Sequence, residues 1–383
     1  MTAQVAKSNI PSARRPRIGV DFHTWDGIFQ GSRSHILGIY REAITLAPDF
    51  DFIFFLDDPA SLRAAHPEFS APNVSLIHMA HRPGPWRLGV QLPWFQWRHR
   101  IDLLHTQYRL PFLRMGDCAV TIHDILFETH PRFFLGLYVW EAKFTFRHAA
   151  RRAKVLFTVS EFSKHEIATR YGVSPERIHV TCNGVDKQRF YPAADPDPRL
   201  AELGLSHRGY LLTVGRLEPR KNHGTLIQAY AQLPADAPPL IIVGQRDFGY
   251  DQIFQRIREA ALQDRVRVLQ NVSDELLPVI VRHARIFVFP SFAEGFGIPV
   301  AEAMASGVPV ITSNNTSLAE IAGGAALYAS PNDCTEIVRL LRCVLSDGNL
   351  FSTMAAKGID QARKFKWHSS AQVLINAFRR NLS

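Results

Sequence analysis

Two glutamates separated by seven residues, Glu294 and Glu302, flank the turn Gly295-Phe296-Gly297 within the stretch from Phe287 to Pro309. The run 286–289 before them is apolar throughout, as expected of a buried parallel strand. Pro299 stands where a helix should start, a position at which its missing N–H would be unpaired anyway. Ala301 to Ala305 are good helix formers, and Gly307 and Pro309 end the run. A strand, a tight loop and a helix N-terminus together present free backbone N–H groups and the positive end of a helix dipole, which suits a diphosphate. Glu294 in the loop and Glu302 about one turn into the helix then address one ligand from two directions. They would serve as hydroxyl acceptors rather than as a close acid pair. An ordinary strand–loop–helix unit with two solvated glutamates is the plain alternative.

Other clusters fall at the ends of apolar runs. Leu211 to Gly215 leads into a charged turn that holds Arg216 and Lys221. Two fixed cations at a strand's carboxyl end can neutralise a diphosphate as negative charge builds on a leaving oxygen; surface cations near a helix are the alternative. Thr121-Ile122 runs into His123-Asp124, where a histidine at a strand end can reach a ligand in front of the sheet. Val159 is followed by Ser160, a plausible N-cap, with Ser163 three residues on. That capping role accounts for Ser160 without any ligand.

The Glu-x7-Glu stretch with Gly-Phe-Gly, together with Val-Gly-Arg-Leu-x3-Lys-Asn at 214–222, resembles the donor site of retaining glycosyltransferases of family 4. The likeness extends through Ser291, Ala303, Gly307, Pro309 and Thr312-Ser313-Asn314. The wording around it is most similar to bacterial mannosyltransferases of surface polysaccharide assembly. The resemblance implies a GT-B fold, two Rossmann-like doubly wound parallel-sheet domains facing across a cleft. It assigns Arg216 and Lys221 to the diphosphate, Glu294 to hydroxyls of the donor sugar and Glu302 to the ribose. Gly295, Phe296, Gly297 and Ile298 line the donor site, and Val272, in 271–275, lies in the segment that holds the base through backbone groups. His123 contacts the transferred sugar, Ser163 is a further donor-side candidate, and Asp124 is an orienting or acceptor-side partner. Many relatives carry adjacent glycines after the first strand. This chain has Gln30-Gly31-Ser32-Arg33 with Gly27 nearby, so Gly31 would meet the donor phosphate with Ser32 or Arg33 assisting, Arg33 on the acceptor side.

The implied activity is retaining, metal-independent transfer of a hexose from a nucleotide sugar to a lipid-linked glycan acceptor, with no cofactor. GDP-mannose is the first choice of donor and a UDP-sugar the second. A nucleotide-sugar epimerase of the same architecture is the rival enzyme. The net charge of +9 favours anionic partners, but no nucleic-acid module is recognisable, so no nucleic-acid partner is expected.

Positioning these groups takes a long chain. At 383 residues there is length for two cores. Apolar runs at 17–23, 52–56, 74–79, 102–105, 119–123, 155–159 and 178–182 alternate with helical segments, and the pattern restarts at 210–214, 240–243, 266–269, 286–289, 310–312 and 326–328. Such alternation predicts doubly wound parallel sheets with right-handed crossovers. The expected division is a disordered basic tail at 1–16, an acceptor-binding domain at 17–190, a nucleotide-sugar domain at 191–365 opening with the linker 191–197, and a helix within 366–383 that crosses back. Asp57-Asp58 before Pro59 reads as a turn and not a metal site. Scattered Cys118, Cys182, Cys334 and Cys343 fit a reducing cytoplasm. No apolar run is long enough to span a bilayer. Residues 82–100 and 132–154 interleave tryptophan, phenylalanine and tyrosine with arginines. These stretches would hold the enzyme peripherally on the anionic inner face of the cell membrane.

Overall fold

The computed structural model describes residues 14–26 and 31–382. Most of the tail, together with Gly27 and Gln30 of the first loop, lies outside the described residues. Thirteen strands form two wholly parallel sheets. The first contains β1 (Arg17–Asp21), β2 (Asp51–Leu56), β3 (Val74–His78), β4 (Leu103–Gln107), β5 (Asp117–Thr121), β6 (Val155–Thr158) and β7 (Ile178–Val180) in the order 3-2-1-4-5-6-7. The second contains β8 (Leu211–Val214), β9 (Leu240–Val243), β10 (Val266–Leu269), β11 (Ile286–Phe289), β12 (Val310–Ser313) and β13 (Leu327–Ala329) in the order 10-9-8-11-12-13. Each order reverses direction at the sheet's centre, where a crevice opens beyond the carboxyl ends of the strands. The architecture is GT-B.

Runs such as Ile286–Phe289 are apolar on both faces because helices cover both sides of the sheet, and all four residues are buried. In the first domain the two faces differ in what covers them. Helix Gly31–Leu46 and the last helix, Trp367–Leu382, pack on one face against Ile18, Phe52 and Phe54. On the other, Leu88, Leu92 and Phe95 pack beside Val139, Ala142 and Phe146 of helix Gly136–Arg152. The last helix is drawn from the far end of the chain, yet Leu374, Ile375 and Phe378 are fully buried in the first domain's core. Its entry is fixed by Trp367. A Cβ on Gly38 would fall 2.3 Å from the indole, and one on Gly184 2.5 Å from the Trp367 backbone N. Only glycine admits the ring at both places. Ser370 Oγ donates to the Cys182 carbonyl at 2.6 Å, and Val185 N to the Phe365 carbonyl at 3.2 Å, so the two interdomain strands of chain run side by side.

The carboxyl ends of the two sheets meet. Ser160 and Ser163 both donate from their hydroxyls to the Gly295 carbonyl, at 2.7 and 3.3 Å. Glu320 accepts the N–H groups of Glu161 and Phe162 at 3.0 and 2.9 Å, which satisfies the free donors of helix Glu161–Tyr171 from the opposite domain. Phe133 stacks on Phe292 at 5.3 Å. Asp58 caps helix Pro59–Ala65 by accepting from Ser61 N, the turn role expected of it.

Candidate active site

The turn after β8 tightens into a short 3-10 helix, Pro219–Lys221, and ends at Asn222 with φ +59°. Asparagine tolerates this left-handed geometry, and its side chain fixes the turn by donating to the Pro290 and Pro331 carbonyls at 2.9 and 2.7 Å. The turn thereby lies against the loop after β11. Ser291 Oγ and Phe292 N donate to the Arg220 carbonyl, and Arg220 Nη1 donates to the Ala293 carbonyl at 2.7 Å.

Glu294 is held at the centre of this contact. Its Oε1 takes Lys221 Nζ at 2.8 Å and Ser291 Oγ at 2.6 Å, and its Oε2 lies 3.0 Å from Arg220 Nη1. Burial alone would raise its pKa, but Arg220 and Lys221 outweigh burial and hold the carboxyl at about 2. It is therefore an ionised, fixed acceptor at any physiological pH. Burial lowers the Lys221 ammonium and Glu294 opposes that; burial also works against the Arg220 charge, but Glu294 and Glu218 prevail and raise it. Arg220 was not singled out by sequence reasoning. Its position one residue before Lys221 was the available signal, yet the residue's direction depends on how the 291–294 loop approaches.

Glycines set the approach distances. A Cβ on Gly295 would lie 2.6 Å from Asp124 Oδ2, and Gly297 has φ +99° with Leu318 pressed against it. The Gly295, Phe296 and Gly297 N–H groups donate no hydrogen bond among the described residues, and helix Ile298–Ala305 follows with Pro299 in its first turn. This is the amide-lined mouth that the sequence suggests. The Phe296 side chain faces away from it, buried against Phe365 at 5.5 Å, so only its backbone faces the mouth. Asp124 accepts Leu126 N at 3.1 Å. Burial raises its pKa, and Arg220, Lys221 and Glu294 all act on it from across the cleft.

Arg216 is ion-paired with Asp247 and half-exposed, so its charge is partly spent on that partner rather than aimed wholly at the mouth. Its field also reaches Tyr108 of the first domain. His123 is buried, with Nε2 2.9 Å from Gln107 Oε1 and its ring 4.9 Å from both His35 and Tyr108. Burial, with His35 and His105 adding to it, holds its pKa well below the usual histidine range. The ring is neutral.

Glu302 differs from Glu294 in every respect. Burial raises its pKa to about 8, Arg189 opposing and Asp274 and Asp186 reinforcing the rise. Its carboxyl makes no hydrogen bond or ion pair among the described residues. Val272 is half-buried against the second domain's core, next to Asn271 with φ +55°. Arg33 stacks over Trp25 at 4.4 Å and is electrostatically coupled to Asp274. Asp274 of the second domain and Asp26 of the first both act on Arg33. Gly31 opens its helix with Ile298 Cδ1 3.3 Å from where its Cβ would be. Ser163 is buried, and its hydroxyl is spent on the Gly295 carbonyl. Among the described residues no three His, Cys, Asp or Glu side chains are grouped to hold a metal ion.

Comparison with known proteins agrees with this geometry. Residues 53–189 match the family described as Glycosyltransferase Family 4, and residues 201–365 match Glycosyl transferases group 1. The chain is 36% identical over 271 residues to O-antigen chain mannosyltransferase B of Escherichia coli, covering 70% of this chain and 71% of that one. It is 33% identical over 229 residues to O-antigen chain mannosyltransferase RfbU of Salmonella typhimurium, covering 60% of each. The fold superposes on sucrose-phosphate synthase from Thermosynechococcus elongatus with a TM-score of 0.76 at 22% identity, over 96% of this chain and 99% of that one.

Proposed function

This chain belongs to the group 1 and family 4 glycosyltransferases, and from that premise we propose a retaining, metal-independent transfer of mannose from GDP-mannose to a lipid-linked glycan in surface polysaccharide assembly. The observation that carries the reading is Glu294, ionised and fixed between Arg220, Lys221 and Ser291 at the edge of the amide-lined mouth. The mannosyl choice rests on the names of the two O-antigen relatives.

In this reading Glu294 accepts hydroxyls of the donor sugar and Glu302 those of the ribose, while the Val272 backbone holds the base. The diphosphate faces the Gly295–Ile298 amides and Lys221, and Arg216 joins them by leaving Asp247. As the bond from the anomeric carbon to the phosphate oxygen breaks, these donors stabilise the charge left on that oxygen. The acceptor hydroxyl forms the new bond on the same face, and its proton passes to the departing phosphate. His123 stays neutral beside the sugar, and Asp124 borders the acceptor side.

The lipid-linked acceptor and a peripheral place on the inner face of the membrane are supported by exposed apolar side chains of the first domain. Twelve large apolar side chains between Trp86 and Phe144 are exposed; elsewhere among the described residues only Tyr191 and Phe248 are. Arg98, Arg114, Lys143 and Arg147 are exposed among them, the mixture that suits an anionic interface. No described helix is long and apolar enough to cross a membrane.

The test is label transfer from GDP-mannose to a bacterial lipid extract in EDTA. Glu294→Gln should lower turnover by about 10²–10³-fold per folded molecule, assayed below the reduced melting temperature that the loss of a buried ion pair brings. Wild-type turnover in that variant would remove Glu294 from the reaction, and dependence on added divalent cation would remove the metal-free step.

A further inference from the structure

Among the described residues, three buried polar atoms without partners belong to Asp21, at the carboxyl edge of the first sheet, and to Arg87 and Gln91. Asp21 ends β1 and is almost wholly buried; His23 Nδ1 lies 3.0 Å from its Oδ1. Its Oδ2 makes no hydrogen bond among the described residues, and Arg87 Nη1 stops 3.7 Å from it. Arg87 Nε and Gln91 Oε1 are likewise buried and unpartnered. Buried polar atoms are paired in the great majority of cases, and a group of exceptions calls for a missing partner.

The backbone singles out the same place. Between helices Gly84–Trp86 and Leu92–Arg98 the chain takes a π turn, Arg87–Gln91, in which Leu92 N donates to the Arg87 carbonyl. Single π turns are rare and recur at functional sites. Here the wider turn carries Arg87 and Gln91 together, while Leu88 and Leu92 pack inward on the sheet. Trp86, Val90, Trp94 and Trp97 face outward from the same stretch.

We propose that Arg87 and Gln91, with Asp21 and His23 beneath them, form the subsite for hydroxyl groups of the acceptor glycan. The proposal rests on the glycosyl-transfer reading. The chemistry selects a neutral polyol: an anion would meet the Asp21 carboxylate and a cation the Arg87 guanidinium. A hydroxyl suits both, accepting from Arg87 and donating to Asp21. One oxygen about 2.8 Å from each group would replace the long ion pair by two ordinary hydrogen bonds, and the Gln91 carbonyl oxygen can accept from a neighbouring hydroxyl. The outward tryptophans on the same stretch place this subsite where a glycan on a membrane-held lipid would arrive.

The test uses the full chain, GDP-mannose as donor, and mannobiose, mannotriose and methyl α-mannoside as acceptor probes. Arg87→Lys keeps the charge and loses the fork, and Gln91→Ala removes only the amide. Each should raise the acceptor KM, Arg87→Lys by about tenfold, the equivalent of ~1.4 kcal/mol, with the donor KM unchanged. Asp21→Asn should do the same where its melting profile shows it folded. An unchanged acceptor KM in both rim variants overturns the assignment, as does a parallel rise in donor KM. So does a wild-type chain that GDP-mannose stabilises but that glycosylates none of the probes. A chain stabilised by no nucleotide sugar would instead overturn the transfer reading itself.

Discussion

The two domains share a strand order through their first six positions, yet their carboxyl edges are finished in opposite ways. In the second domain the charged groups are wired to each other: Glu294 is held by Arg220, Lys221 and Ser291, and Asn222 ties the turn to two carbonyls. In the first domain the edge is lined by a neutral histidine, a buried aspartate with an open oxygen and a π turn with unpaired polar atoms. Its outer face exposes tryptophans where the second domain exposes almost no large apolar group. A set of fixed charges suits one constant ligand, because preorganised groups do not have to rearrange as charge develops. Open, mixed hydrogen-bonding groups suit a partner supplied from outside.

Removing a cation from the wired edge should have the largest effect. Arg220→Met leaves Glu294 buried with a single ion partner, and breaking such a pair costs about 3–5 kcal/mol. Chemical denaturation should show that loss, and a change below ~1 kcal/mol would mean that the pair behaves as a surface ion pair. Next is Glu302, whose carboxyl burial pushes up to about 8. A ribose diol donates to the ionised form, so nucleotide affinity should rise as pH increases through that value. Calorimetry with UDP and GDP from pH 6.5 to 8.5 should show a gain of roughly tenfold, the scale of one pKa unit. Glu302→Gln should flatten it, and parallel profiles in the two proteins would sever the ribose from this residue. The smallest effect on stability belongs to the outer face. Trp97→Glu and Trp140→Glu should change unfolding free energy by no more than about 0.5 kcal/mol, while co-sedimentation with phosphatidylglycerol vesicles drops. Undiminished sedimentation would leave these tryptophans without a membrane role and would erase half of the contrast between the domains.

The strands were legible because parallel strands covered on both faces are written as unbroken apolar runs, such as 52–56 and 286–289. The mouth after β11 was legible because its glycines and Pro299 have local backbone reasons to be there. What stayed hidden depends on contacts between distant segments. Arg220 meets Glu294 only through the docking of one turn on another, and Asp21 meets Arg87 across 66 positions of chain. The field of Asp274 reaches Arg33 from the opposite domain, a further contact between distant segments.

The indole wedged against Gly38 and Gly184 has a consequence for biosynthesis. Leu374, Ile375 and Phe378, which close one face of the first sheet, leave the ribosome after the whole second domain. At roughly 5–20 residues per second, the whole second domain is made while that face stays open. Of the two domains, the one that is synthesised earlier is therefore the one that closes later.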